Sequence, residues 1–151
     1  PEEPLTPERG ELLANWLDNG ASPTIDSWRD LNEKDPEVAL ELLEYLRDCP
    51  LYEIEKLPER SYVLTHAGLG NYVPKKPVSS YTIEELIWNR PKLTDRYFTK
   101  AMTVFGHTPT RYYGEEYRGR MLRTDTWIDI DTGDHPMLLR LDDLKPFYVE
   151  D

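Results

Sequence analysis

The first third of the chain repeats apolar residues at helical spacing. Thr6 is placed to cap a first helix and Asp35 a third, and each is followed at once by a proline. A shorter helical piece is indicated between them, over 21–31. The apolar stripes of the first and third helices consist of Leu12, Leu13, Trp16 and Leu17, and of Val38, Leu42, Leu43, Tyr45 and Leu46. The pattern therefore predicts a helical segment over residues 1–50.

The remainder of the chain, 51–151, changes to the shorter period of strands. Alternation over 51–57 predicts a strand that is exposed on one face. Two runs rich in β-branched and aromatic residues, at 62–66 and 102–107, predict buried core strands, and each run ends in a histidine followed by a turn. Thr82 and Glu85 have the spacing of a capping box, which predicts an inserted helix near 82–90.

Alternating segments return after the second histidine. The tyrosine-rich stretch 111–120 is predicted to be a hairpin or a surface loop. We expect the next segments to be antiparallel strands of one sheet, with a further edge strand at 147–149; they are 121–123, 126–130 and 137–141. Helices followed by strands with one inserted helix are typical of an α+β fold, or of the second half of a two-sheet α/β sandwich. One domain of 151 residues is expected.

Composition excludes several classes of partner. The net charge is −11, which disfavours binding to the backbone of a nucleic acid or to an anionic membrane. Apolar runs are too short to cross a bilayer and no signal-peptide pattern is present, so a cytoplasmic location is expected. The single cysteine, Cys49, is interpreted as a buried residue at a helix end.

Two of the three histidines, His66 and His107, are predicted to lie at the ends of neighbouring core strands. Such a pair is a plausible half of a metal site, because rigid strands fix the direction of each ligand. A single histidine in this position is more often an ordinary hydrogen-bonded residue, and the spacing alone leaves the two interpretations about equal. Arg90, taken without any family context, is better explained as a surface arginine that stabilises a helix C-terminus.

Four short sequence words occur in a fixed order in this chain. They are Thr65-His66-Ala67-Gly68-Leu69, Leu86-Ile87-Trp88-Asn89-Arg90, Val104-Phe105-Gly106-His107-Thr108-Pro109-Thr110 and Ile128-Asp129-Ile130-Asp131-Thr132-Gly133. That order resembles the C-terminal half of the calcineurin-like metallophosphoesterases, specifically the bacterial and phage serine/threonine protein phosphatases and the related symmetrical diadenosine tetraphosphatases. The resemblance covers residues 10–149.

The resemblance implies a metal-dependent hydrolysis of phosphoric monoesters. Members of the family hold two divalent metals, most often manganese, with iron or zinc as alternatives, and use them to activate water for attack on phosphorus. By matching motif, His66 and His107 would both be ligands of the second metal. Arg90 would bind the substrate phosphate, since a planar guanidinium matches two phosphoryl oxygens. The substrate would be a phosphoprotein or a small phosphoester.

The chain departs from the family in its N-terminal half. The motifs Gly-Asp-x-His, Gly-Asp-x-x-Asp-Arg-Gly and Gly-Asn-His, which carry the other metal ligands and the histidine that protonates the leaving group, do not occur. We therefore assign no catalytic residue within this chain, place His135 in a turn, and expect the polypeptide to be inactive alone. The resemblance implies that 70 to 80 N-terminal residues are missing, and that they would pack against the strands of His66 and His107.

Other functions remain open at this point. The parent enzyme could hydrolyse diadenosine tetraphosphate, or the chain could be a complete interaction module that retains the scaffold without the chemistry. A small zinc-binding protein is the least favoured alternative, because clustered ligands are lacking. Truncation is favoured over an interaction module, because loss of the N-terminal half is expected to leave the His66 strand as an exposed apolar edge of its sheet.

Overall fold

A computed structural model describes residues 6–133 and 135–149 of the chain. These residues have an α+β fold with four α-helices, a mixed sheet of five strands and a small antiparallel sheet of two. They divide into two compact units, one up to residue 49 and one from residue 50 onward. None of the helices in the described residues is both long enough and apolar enough to cross a membrane.

The first unit consists of three helices, α1 (Pro7–Asp18), α2 (Ser22–Lys34) and α3 (Pro36–Asp48). The caps expected from the sequence are present: the Thr6 side chain accepts a hydrogen bond from the backbone N–H of Arg9, and Asp35 accepts one from that of Val38. Helix α2 is longer than predicted and continues to Lys34.

The prediction that Cys49 is buried is wrong. Helix α3 ends at Asp48, and Cys49 follows it in an extended conformation with its side chain exposed. Leu46, the last residue of the apolar stripe of α3, lies two positions before the helix ends, and the extended backbone at Cys49 does not continue the helical path. The cysteine therefore lies beyond the stripe that the helix directs toward its neighbours.

The second unit is built on a sheet of five strands, β1 (Tyr52–Lys56), β2 (Ser61–Thr65), β3 (Ala101–Phe105), β4 (Leu122–Arg123) and β5 (Trp127–Asp129). Their spatial order is β1-β2-β3-β5-β4. The three central strands, β2, β3 and β5, are mutually parallel, and the outer strands β1 and β4 are antiparallel to their neighbours. The parallel strands are the most buried, as is usual for this arrangement.

Strand β2 is not an edge of the sheet, which contradicts the expectation for a truncated chain. All five of its residues pair with β1 on one side, and four of them pair with β3 on the other. The edges of the sheet are β1 and the two-residue strand β4, and β1 is the edge next to β2. It carries Glu53, Glu55 and Lys56, and charged side chains on an edge disfavour pairing with another chain.

The later strands do not form one antiparallel sheet as predicted. Strand β5 is parallel to β3, while β6 (Met137–Arg140) and β7 (Lys145–Tyr148) form a separate antiparallel hairpin. The alternation of apolar and polar residues is the same in parallel and antiparallel strands, so it could not reveal the direction of pairing. The chain leaves the large sheet after Asp129 and turns at Gly133, whose φ of 82° suits glycine.

The large sheet is covered on both faces. Val63, Phe105 and Trp127 belong to one core, which packs beneath helix α4 (Ile83–Ile87) and the loops around it. The other face presents a row of Tyr62, Met102, Val104 and Ile128, against which Leu139, Leu141 and Leu144 of the small hairpin pack. Helix α4 begins with the capping box predicted from Thr82 and Glu85.

Candidate functional site

The parallel pairing of β2 and β3 brings the two histidines together. Leu64 is in register with Val104, so both strands end at the same side of the sheet. His66 follows β2 directly, and His107 lies two residues beyond β3. The backbone N–H of Gly106 donates to the carbonyl of His66 at 2.9 Å, which continues the pairing past the last strand residues.

The facing ring nitrogens are close enough to share one ion. Nε2 of His66 lies 3.1 Å from Nδ1 of His107, and the ring centroids are 4.9 Å apart. Two nitrogens that bind one metal at about 2.1 Å, at right angles to each other, are separated by about 3.0 Å. The same spacing also suits a hydrogen bond between a protonated and an unprotonated nitrogen. The geometry therefore fits a pair of adjacent ligands on one ion.

His107 is held in a form suited to ligation. Its φ of 69° is in the left-handed region, an uncommon conformation for a residue with a side chain. Burial lowers the pKa of His107, and the neighbouring His66 and Arg90 lower it further, against an opposing effect of Asp131. The imidazole is thus neutral at pH 7, which is the state that binds metals. Trp88 packs edge-on against the ring, with centroids 5.5 Å apart.

The second ring nitrogen of His107, Nε2, is buried and has no hydrogen-bond partner among the described residues. In metal sites, the nitrogen that does not bind the ion usually donates its proton to a carboxylate, a carbonyl or a water. An unpaired buried N–H has an energetic cost. A water molecule or a group outside the described residues would satisfy it.

Arg90 lies beside the histidine pair and not at the end of a helix. The helix was predicted to extend to residue 90, but α4 ends at Ile87 because the chain turns toward Pro91. The Arg90 side chain is exposed, and its Nη1 donates to Oγ1 of Thr108 at 3.4 Å. Its positive charge is near enough to lower the pKa of His107. The structure therefore brings all three sequence-predicted site residues together, although their roles toward metal and phosphate stay predictions.

Tyr97 links two segments of this region by hydrogen bonds, and no motif or periodic pattern in the sequence predicts that role. Its hydroxyl accepts hydrogen bonds from the backbone N–H of Leu69 and from the side-chain amide of Asn89, both at 3.2 Å. Burial raises the pKa of Tyr97 to about 12, so the hydroxyl stays protonated at neutral pH. One side chain thus connects the loop after His66 with the segment before Arg90.

Gly68 makes that connection possible and provides a stability test. A Cβ at this position would lie 3.0 Å from Cγ of Pro91 and from the hydroxyl of Tyr97, and the φ of 79° is unfavourable for any L side chain. We expect Gly68→Ala to lower the free energy of unfolding by about 2–4 kcal/mol. Gly119→Ala is the control, since Gly119 has a φ of 67° and open space around it. For Gly119→Ala, urea unfolding should show a loss of only about 1 kcal/mol in the free energy of unfolding. Equal losses in the two variants would show that contacts with Pro91 and Tyr97 do not add to the cost at position 68.

Asp131 is an acidic neighbour of the site that the sequence analysis left without a role, although it lies within one of the four sequence words. Its carbonyl accepts a hydrogen bond from the backbone N–H of Thr110 at 2.8 Å, which ties the loop after β5 to the turn after His107. A Cβ on Gly106 would lie 3.5 Å from the Cβ of Asp131. Its charge raises the pKa of His107, opposing the other neighbours.

His135 and Asn71 lie elsewhere. His135 occupies a turn, as predicted, where its carbonyl accepts a hydrogen bond from the Thr132 hydroxyl. Asn71 donates to Glu85 at 3.2 Å. Within the ranges that the structure describes, no group of three or more histidine, cysteine, aspartate or glutamate side chains is arranged to hold a metal. The two histidines are therefore fewer than the three or four ligands of a typical metal site.

An apolar cleft of about 530 Å³ opens beside the histidines. Leu64 and Val104 form its floor, and Met137, Leu139 and Leu141 of the small hairpin contribute one wall. His66, His107 and Asp131 line the same cleft. An apolar surface was expected next to His66 if a further part of the fold packs there.

Comparison with known proteins adds no family. No protein-family model matches the chain, and no curated protein matches it. The resemblance to the metallophosphoesterases therefore depends on the four sequence words alone.

Proposed function

We propose that this chain is the C-terminal half of a cytoplasmic, metal-dependent phosphoric monoester hydrolase of the serine/threonine protein phosphatase type. The observation that carries the proposal is the 3.1 Å separation between Nε2 of His66 and Nδ1 of His107. In that arrangement both nitrogens can bind one divalent ion. In this proposal the sheet of residues 52–129 is part of a two-sheet sandwich.

The position of Arg90 supports a phosphorylated substrate. Its guanidinium is exposed and lies beside the histidine pair, and its contact with Thr108 uses one of five N–H donors. The remaining donors can bind two oxygens of a phosphoryl group in a planar fork. A dianionic ligand would be attracted both by this guanidinium and by a metal ion held at the histidine pair.

Divalent ions would supply Lewis acidity toward the phosphoryl oxygens and a water molecule acidic enough to ionise near neutral pH. His66 and His107 would hold one ion by their facing nitrogens, and Arg90 would orient the phosphate. Two imidazoles are too few to retain a catalytic ion firmly. The other ligands, the second ion and the proton donor for the leaving group are therefore assigned to the missing N-terminal half, which would pack over the apolar cleft beside His66.

Metal titration of the 151-residue chain tests the observation that carries this proposal. We expect Zn²⁺ to shift the NMR signals of the His66 and His107 rings and paramagnetic Mn²⁺ to broaden them, with Zn²⁺ bound more tightly because imidazole suits it better. His66→Ala or His107→Ala should weaken Zn²⁺ binding tenfold or more in calorimetry. His135→Ala is the matched control, since His135 lies in a separate turn and should leave the affinity unchanged.

The pH dependence of the same titration follows from His107. Because the pKa of His107 is lowered from its ordinary value of 6.5, its imidazole is neutral throughout the neutral range, and Zn²⁺ affinity should be nearly constant from pH 7 to 8. Affinity should fall as the pH drops through and below 6, where protons compete for the ring nitrogens. Equal Zn²⁺ binding by the parent chain and by both alanine variants would reject a site at the histidine pair.

A further inference from the structure

The three helices of residues 6–49 surround an apolar cleft of about 610 Å³. Each helix contributes to its lining, with Leu13 and Trp16 from α1, Trp28 and Leu31 from α2, and Leu42 and Leu46 from α3. The cleft belongs to the helical unit alone. It is unrelated to the histidine pair, and none of the roles proposed above uses it.

The helical unit has too little core of its own. Within residues 6–49, only Ala21 and Ala39 are fully buried hydrophobic residues. Large side chains on the cleft are exposed, with Trp16 at 49% and Leu46 at 57% of their accessible surface. Short amphipathic helices gain most of their stability by burying an apolar face. The helices therefore present a surface that a further element must cover.

The net charge of the helical unit indicates what that element is, although the cleft lining itself includes one charged residue, Arg29. Residues 6–49 contain 11 acidic and 4 basic residues. Two of the basic side chains, Arg29 and Lys34, are already within 4 Å of an aspartate on their own helix. A second copy of this chain would bring two acidic surfaces together, which like charges oppose. A partner with basic flanks is attracted instead.

An unpaired hydrogen-bond donor in the cleft also favours an occupant with polar groups. The indole Nε1 of Trp28 is buried and has no hydrogen-bond acceptor among the described residues. A buried donor without a partner is costly. An occupant that carries a side-chain carbonyl at this point, such as glutamine, would satisfy it. The cleft thus combines an apolar lining and an unpaired donor within a helical unit of net negative charge.

We propose that this cleft binds an amphipathic helix of another protein, with leucine-like residues along one stripe and lysine or arginine on both flanks. The helix completes a bundle of four with α1, α2 and α3. Apolar residues spaced at i, i+3, i+4 and i+7 enter the cleft, and the basic flanks are attracted by the net negative charge of the helical unit. This binding site is independent of the phosphatase proposal and stands whether or not that proposal is correct.

Fluorescence polarisation of labelled peptides with the 151-residue protein tests the proposal. The probe is a peptide of about 16 residues, four helical turns, with a leucine stripe, lysine flanks and one central glutamine. One control keeps the stripe and replaces lysine by glutamate, and another keeps the composition and scrambles the stripe. We expect the basic peptide to bind at least tenfold more tightly than either control, and its affinity to fall with added salt.

Two matched variants on one helix locate the site. Leu46→Gln changes an exposed leucine that lines the cleft, and Leu40→Gln changes one that is similarly exposed, at 54%, but lies outside it. Both are surface changes that should leave the helices folded. The proposal requires Leu46→Gln to weaken binding of the basic peptide tenfold or more and Leu40→Gln to leave it unchanged.

Several outcomes would overturn it. They are equal binding of the acidic or scrambled peptide, equal losses in both leucine variants, and no binding of the basic peptide. Sedimentation that shows a dimer of this chain, with Leu46→Gln dissociating it, would assign the cleft to a second copy. Protection of Trp16 and Trp28 from acrylamide quenching in the free monomer would mean that the rest of the same chain covers the cleft.

Discussion

Replacing Asp129 by asparagine is expected to abolish most of the loss of stability that the sheet unit undergoes between pH 6 and pH 9. Asp129 lies on β5 and is completely buried. Its Oδ1 accepts a hydrogen bond from the backbone N–H of Asp131 at 2.9 Å, while Oδ2 is buried without a partner among the described residues. Burial raises the pKa of Asp129 from 3.8 to about 8, and the charge of Asp131 adds to the effect.

The direction of the pH effect follows from proton binding. Between pH 4 and pH 8, the folded state holds a proton on Asp129 that the unfolded state has released. Stability therefore falls as the pH rises through this range. With about 1.4 kcal/mol for each unit of pKa difference, the loss between pH 6 and pH 9 is on the order of 2–3 kcal/mol. His107 acts in the opposite direction below pH 6.5, because its pKa is lowered.

Asparagine keeps the acceptor for Asp131 and cannot ionise, so the Asp129→Asn variant should be more stable than the parent at pH 9 and differ little at pH 6. Asp129→Leu removes the acceptor as well and should be destabilised at every pH by about 1–3 kcal/mol. Urea unfolding can be followed by Trp127 emission, in a background where Trp16, Trp28 and Trp88 are phenylalanine. Since His107 is common to all variants, the difference between parent and asparagine variant isolates Asp129. Identical pH slopes would show that Asp129 is ionised in the folded state.

Removing Arg90 is expected to have the largest effect on catalysis. In the proposed phosphatase, with this chain joined to the N-terminal half that the family resemblance implies and supplied with manganese, Arg90→Ala should lower kcat for p-nitrophenyl phosphate about 100-fold and raise KM. The guanidinium stabilises charge on the phosphoryl oxygens most strongly in the transition state. Arg90→Lys should recover only part of the loss, because an ammonium cannot form the planar fork.

Arg123→Ala is the control for the loss of one positive charge. Arg123 is exposed on the edge strand β4, away from the histidine pair, and its removal should leave kcat and KM unchanged. If Arg90→Ala behaves like the parent enzyme, its assigned role in phosphate binding is wrong. Loss of activity in both variants would indicate a general effect of net charge.

The same full-length enzyme distinguishes the two substrate classes that the resemblance implies. A phosphoserine peptide and diadenosine tetraphosphate would be compared at equal concentration, with kcat/KM as the measure. We expect the phosphopeptide to be the better substrate. A tenfold or greater preference for diadenosine tetraphosphate would favour the tetraphosphatase function over the protein phosphatase function.

Local sequence determined the secondary structure and part of the candidate site. Thr6, Asp35 and Thr82 each cap the helix predicted for them, because a cap depends on a side chain and an N–H only three residues apart. The buried strands around 62–66 and 102–107 were predicted from β-branched and aromatic runs, whose burial on both faces needs no knowledge of their partners. The choice of His66, His107 and Arg90 came from motif resemblance.

Only the tertiary structure decided how these pieces meet. The pairing of 52–56 with the His66 strand, which prevents that strand from being an edge, and the parallel direction of β5 arise between segments far apart in the chain. The Tyr97 hydroxyl accepts hydrogen bonds from both Leu69 and Asn89, and the buried Asp129 accepts one from Asp131. No local sequence pattern predicts these contacts of Tyr97 or of Asp129. Periodicity records which positions are buried, since burial depends on residue type. It does not record the neighbour that buries them, because a contact between distant segments leaves no period in either one.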